Sequence, residues 1–131
     1  MTKSSKPSSQ RRTRFQAPIH VRRKFLSAAL SDELQFRYNR NSWRLKKGDT
    51  VKVQRGDYTG VEGKITAINA KTLRVTIEGI TREKADGTQK TVPVSPSKLV
   101  ITKLNTDDKW RAQRLSAKMA ATEQGPPPKE T

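Results

Sequence analysis

Apolar residues in this chain recur mostly in short alternating runs broken by glycine, and take helical spacing only towards the two ends. Val51 and Val53 stand two apart and share one face of an extended strand, with Lys52 on the other. Val61 and Ile65 continue in phase, and the shift to Ile68 predicts a bend or bulge. Between these runs lie Gly56, Gly60 and Gly63, a turn whose backbone can take positive φ or approach another chain closely. Leu73, Val75 and Ile77 form a third strand, which Glu78-Gly79 is expected to end. Asp86-Gly87 predicts a hairpin turn, and Lys90, Thr91, Val92 and Val94 return from it, with Pro93 marking an edge strand. Pro96 and Ser97 make a corner before the closing strand of Leu99, Val100, Ile101 and Leu104. About five short strands over this length predict a small barrel rather than a βαβ fold.

The flanks read differently. Pro18 to Leu30 predicts a helix with Val21, Phe25, Ala28 and Ala29 on one face and Arg22, Arg23 and Lys24 fanned over the rest. Ser31 is placed as the N-cap of a second, short helix, with Asp32 and Glu33 in its first turn, ending near Asn39. Arg40 to Leu45, including Trp43 and Arg44, reads as a linker. Asn105 to Gln124 turns helical, with Trp110, Leu115 and Met119 on one narrow stripe and Thr106, Asp107 and Asp108 as capping candidates. Gly125 and the prolines 126–128 stop it. The expected division is a disordered basic arm over 1–16, a helical extension and linker over 17–45, a barrel over 46–104, and a helix with a proline-rich tail over 105–131.

Composition sharpens this. Only 31% of the 131 residues are hydrophobic and 5% aromatic, against a globular norm of roughly 45–50% apolar. One modest core with long extensions fits better than two. Lys and Arg number 28 against 12 Asp and Glu, a net charge of +16. Such a surplus points to a polyanion, most often nucleic acid. It is uneven: residues 1–47 carry 13 basic and 2 acidic side chains, 48–104 carry 10 and 6, and 105–131 carry 5 and 4.

Absences matter too. There is no cysteine, so neither disulfides nor thiolate sites are expected. A metal site would need carboxylates, and none cluster at ligand spacing. No apolar run reaches the ~20 residues of a membrane span, and the N-terminus lacks the apolar core of a signal peptide. The glycine turn lacks the Gly-Lys-Ser/Thr ending of a P-loop and precedes a strand. Nothing resembles a nucleophile elbow or an activating base. An enzyme with a cofactor or small-molecule substrate is therefore not expected, nor is a membrane protein.

The residues suited to nucleic acid are arginines able to make bidentate phosphate bonds, Arg11, Arg12, Arg14, Arg22, Arg23, Arg40, Arg44 and Arg55. The lysines Lys24, Lys46, Lys47, Lys52 and Lys64 accompany them. His20 is equally an RNA contact or a plain surface residue. Trp43, in a basic linker, is the better stacking candidate, Tyr58 is balanced between stacking and packing, and Trp110 is better explained by packing of a helix face.

Gly-Asp-x-Val-x-Val-x-x-Gly over 48–56, followed by Gly60 and Gly63-Lys64-Ile65, resembles the KOW motif, which marks a small SH3-like barrel. The flanking PIHVRRKFLSAALSDEL and FRYNRNS, the KADGT hairpin and VPVSPSKLVITKL resemble the large-subunit ribosomal protein 24 family, in its archaeal and eukaryotic form, numbered 26 in eukaryotes. Similarity runs from about Arg11 to Leu104; Arg44 stands where the family usually has proline, and Ser95 where histidine is common. The resemblance implies a mainly β fold, a KOW barrel with a basic N-terminal helical extension and a C-terminal helix. It also implies a structural role on the cytoplasmic ribosome, bound to the 5′ domain of large-subunit (23S-type) rRNA and supporting early assembly. Neighbouring proteins near the peptide exit tunnel would be its partners, with no self-association. Arg11, Arg12 and Arg14 would thread between rRNA segments, Arg22, Arg23, Lys24, Lys46, Lys47 and Arg55 would pair with phosphates, and the Gly56–Gly60 turn would lie against RNA. The alternative is a KOW-bearing transcription elongation factor, which places the motif behind a larger domain. A peptide-binding SH3-like module would need an aromatic groove, and the barrel segment holds only Tyr58.

Overall fold

The computed structural model describes residues 3–123, with side chains described through residue 117 of the last helix. Seven strands form one mixed sheet, joined by four α-helices: α1 (Pro7–Gln16), α2 (Ile19–Phe25), β1 (Ser27–Leu30), α3 (Asp32–Tyr38), β2 (Ser42–Arg44), β3 (Thr50–Val53), β4 (Glu62–Asn69), β5 (Arg74–Glu83), β6 (Gln89–Val94), β7 (Leu99–Lys103) and α4 (Lys109–Glu123). The strand order is β2-β1-β7-β3-β4-β5-β6. Only β1 and β7 run parallel; the other neighbours are antiparallel. The chain is thus mainly β, as expected. No described helix is long and apolar enough to cross a membrane.

The alternating pattern builds the core. Val51, Val53, Ile65, Val75, Ile77, Leu99 and Ile101 are all buried, each worth roughly 1.5–3 kcal/mol. The β4 bend occurs where predicted: its first half pairs with β3, its second with β5, and the register shifts between Ile65 and Ala67. This lets one strand serve two halves of the sheet. Lys84 N–H donates to Thr88 O at 2.9 Å across the Asp86-Gly87 turn, and Pro93 lies on the edge strand β6.

Several expectations change. Glu78-Gly79 does not end the third strand: Gly79, at φ +84°, bends β5, which continues to Glu83 with its register shifted between Thr76 and Thr81. The helix predicted over Pro18–Leu30 stops at Phe25. Ala28 and Ala29 extend the helical face of Val21 and Phe25, but Leu26, Ala28 and Leu30 also alternate; these three are buried, and the strand backbone from Ser27 joins both β2 and β7. Arg40–Leu45 is not a plain linker, because Ser42–Arg44 pair with β1 and Leu45 N–H donates to Leu26 O at 2.9 Å. Part of the basic arm is helical, with Pro7 in its first turn and no buried residue. Ser31 occupies the N-cap of α3 without a capping side-chain bond, and Asn39 closes that helix in the left-handed region. Met119 and the stop at 125–128 lie outside the described side chains and residues respectively.

α4 docks by only part of the stripe the sequence suggested. Leu115 is buried, but Trp110 is 76% exposed. Five positions apart, the two point roughly 140° away from each other on a helix. Arg111, four positions before Leu115, takes the inward place and is only 7% exposed.

Candidate nucleic-acid interface

The buried end of Arg111 closes a polar clamp. Its two terminal nitrogens donate to the Asp49 carboxylate at 2.6 and 2.7 Å, and also to Asn105 O at 2.8 Å and Arg44 O at 3.0 Å. Asp49, fully buried, further accepts from Lys46 N–H and Asn105 N–H, each at 2.9 Å. Every lone pair therefore meets a donor, which is what makes burial of this charge tolerable. The clamp joins β2, the loop into β3, the chain after β7 and α4.

With α4 fixed, a groove of about 860 Å³ opens beside β2. Lys24, Arg40, Trp43, Arg44 and Lys46, all singled out from the sequence, come together there, and Trp110, Asp108 and Arg114 join them. Arg40 Cζ lies 4.5 Å from the Trp43 ring centroid, so this indole is already covered by a guanidinium. Trp43 also packs against the core. Lys46 Nζ bonds Asp108 at 2.9 Å, and with Trp110 N–H this holds the Asp108 carboxyl below the usual 3.8. Among the described residues only Lys46 and Arg111 form ion pairs.

The β3–β4 turn is a second basic feature. Gly56 and Gly60 adopt φ of +103° and +89°, and an added Cβ would meet nothing nearer than Lys98 Nζ at 3.8 Å. Their role is conformational, and the space above them is open. Gly63 differs: a Cβ there would lie 2.4 Å from Glu78 O, so this glycine serves strand packing rather than the turn. Arg55 is exposed, whereas Tyr58 is half-buried against the core, its hydroxyl donating to Thr81 O at 3.4 Å. Lys52 and Lys64 share the outer face of β3 and β4, with Lys52 opposite Glu62. Lys47 is exposed in the loop before them.

Arg11, Arg12 and Arg14 are exposed on α1, and His20, Arg23 and Lys24 on α2. Arg12 Nε donates to Gln16 Oε1 at 3.1 Å. Arg22 differs from its neighbours: it donates to Phe15 O and, at 3.5 Å, to Lys71 O, tying α1 and α2 to the β4–β5 turn. Sequence reasoning missed Asp49, Arg111 and Arg114, and it assigned Trp110 to packing where the structure leaves the ring exposed. The spacing of Arg111 and Leu115 was the available clue to the docked face; no local signal pairs Arg111 with a carboxylate 62 positions earlier. Among the described residues no three His, Asp or Glu side chains gather as metal ligands would.

The family model for the ribosomal proteins numbered 26 in eukaryotes and 24 in archaea matches residues 4–118. A protein of Korarchaeum cryptofilum named large ribosomal subunit protein uL24 is 49% identical over 122 residues, 93% of each chain. Namesakes from Methanoculleus marisnigri and Saccharolobus solfataricus are 51% and 46% identical, each over 112 residues, 86% of this chain and 93% and 94% of theirs.

Proposed function

The chain belongs to the ribosomal protein family numbered 26 in eukaryotes and 24 in archaea, and from that premise we propose that it is a structural, non-catalytic component of the large ribosomal subunit that binds rRNA. Strands β3 to β7 act as a KOW-type SH3-like barrel whose Gly56–Gly60 turn faces RNA. Arg11, Arg12 and Arg14 on the N-terminal arm, with Arg23, Lys24, Lys47 and Arg55, neutralise phosphates. Binding is to the 5′ domain of the large-subunit rRNA, early in assembly and near the exit tunnel. Neighbouring subunit proteins are its other contacts, and it does not self-associate.

The observation that carries this is the unneutralised charge. Of the chain's 28 Lys and Arg, Lys118 and Lys129 lie outside the described side chains, and among the other 26 only Lys46 and Arg111 form ion pairs. A surface so rich in cations without carboxylate partners calls for an external polyanion. The elongation-factor alternative draws no support, because the ribosomal family match takes in residues 4–118 and so includes the segment ahead of the barrel.

The test is sucrose-gradient sedimentation of cell extract. The protein should travel with large subunits and leave them only in high salt or denaturant. A protein found solely at the top of the gradient would refute the proposal.

A further inference from the structure

We propose that the groove between β2 and α4 receives a single-stranded RNA segment, with one unstacked base lying on the indole of Trp110. This rests on the RNA-binding function proposed above and adds the form of RNA and the place where it is held.

Trp110 is not what holds α4 down. Leu115 and the Arg111–Asp49 clamp do that, leaving the indole 76% exposed at the start of the helix. An exposed ring of that size forgoes burial that a partner would supply. Phe15, Ile19 and Phe36 are also exposed, but none of them lines this groove. Around Trp110 stand Lys24, Arg40, Arg44 and Arg114, without ion-pair partners among the described residues, and the groove's one unburied carboxylate, Asp108, is tied to Lys46. An aromatic face among unpaired cations suits a base with its flanking phosphates. A duplex hides its base faces by stacking, so the indole gains only against a base that is already unstacked.

Trp43 plays a different part from the one its position in the sequence suggested. Its ring is partly buried and covered by Arg40, whose buried Nε finds no acceptor. Arg40 is therefore a cation oriented by stacking, placed to meet a phosphate beside the base on Trp110. The clamp fixes the opposite wall in advance, which lowers the ordering cost of binding.

The experiment uses the full chain and fluorescence anisotropy of labelled oligouridylate, a blunt RNA duplex and a polyglutamate peptide. Trp110→Ala should weaken oligouridylate binding roughly five- to 150-fold, the range for loss of one stacked base. Trp110→Phe should recover most of it, and Phe36→Ala should leave it unchanged. Far-UV circular dichroism verifies that the variants fold alike. Affinity of Trp110→Ala within about twofold of the parent would overturn the proposal. So would an equal loss on the duplex, or polyglutamate displacing the oligonucleotide as its tighter ligand, which would make the groove a site for an acidic protein segment. Sedimentation separates the two levels. Trp110→Ala protein that still rides on large subunits with unchanged oligouridylate affinity sinks the groove alone. Parent protein that never joins large subunits sinks the ribosomal function.

Discussion

Replacing Arg111 by methionine keeps most of the side chain's length and removes its charge and four hydrogen bonds. Asp49 would then be left fully buried with only the Lys46 and Asn105 N–H groups as partners, and the carbonyls of Arg44 and Asn105 would lose their donor. Breaking a buried pair on one side costs about 3–5 kcal/mol. Total stabilities run to about 5–15 kcal/mol, so this loss is a large fraction of the whole. With a urea slope of about 1–3 kcal/mol per molar, the unfolding midpoint should fall by roughly 2 M. Circular dichroism follows the sheet and tryptophan emission follows the groove, where both indoles lie. The double variant Asp49→Ala, Arg111→Met should lose clearly less than the sum of the two single losses, because no buried charge remains. A midpoint for Arg111→Met within about 0.5 M of the parent would refute the clamp as the fastening of α4.

Gly63→Ala should cost about 1–3 kcal/mol in urea unfolding, since its Cβ meets Glu78 O at 2.4 Å, while Gly60→Ala should be strained by its φ of +89° alone; an unchanged midpoint for Gly63→Ala would count against the β4–β5 packing. The Lys46 bond lowers the Asp108 carboxyl below 3.8, so the contact's stabilisation is fully present above that value and fades as pH falls through the lower folded one. Carboxyl NMR should find its midpoint under 3.8, and Lys46→Met should bring it back up; a midpoint at or above 3.8 in the parent would contradict this. Deleting residues 1–16 removes five cations, Lys3, Lys6, Arg11, Arg12 and Arg14, and should flatten the log-affinity against log-salt slope for rRNA by about 2–4. An unchanged slope would show that the arm makes no phosphate contacts.

Much of the sheet was legible because strand alternation is a local signal. Val51 and Val53, the β4 bulge and the Asp86-Gly87 turn all follow from residues within a few positions of one another. What failed locally was decided by distant partners. Leu26–Leu30 carries both periodicities, and the ladders offered by β2 and β7 select the strand. Gly79 permits an ending, yet pairing with β6 carries β5 past it. The candidate site shows the same division. The basic residues and Trp43 were visible as types, but their gathering into one groove depends on a clamp between positions 49 and 111. With Arg111 turned inward by that clamp, Trp110 must face outward, the reverse of what the narrow Trp110–Leu115–Met119 stripe suggested.

The proposed rRNA binding is tested most directly by ultraviolet crosslinking in cells, purification of the protein and sequencing of the attached RNA. Crosslinks concentrated in the 5′ domain of large-subunit rRNA, with peptide adducts on the N-terminal arm and the β3–β4 turn, are the predicted result. Crosslinks spread over nascent transcripts, with no enrichment of large-subunit rRNA, would contradict it.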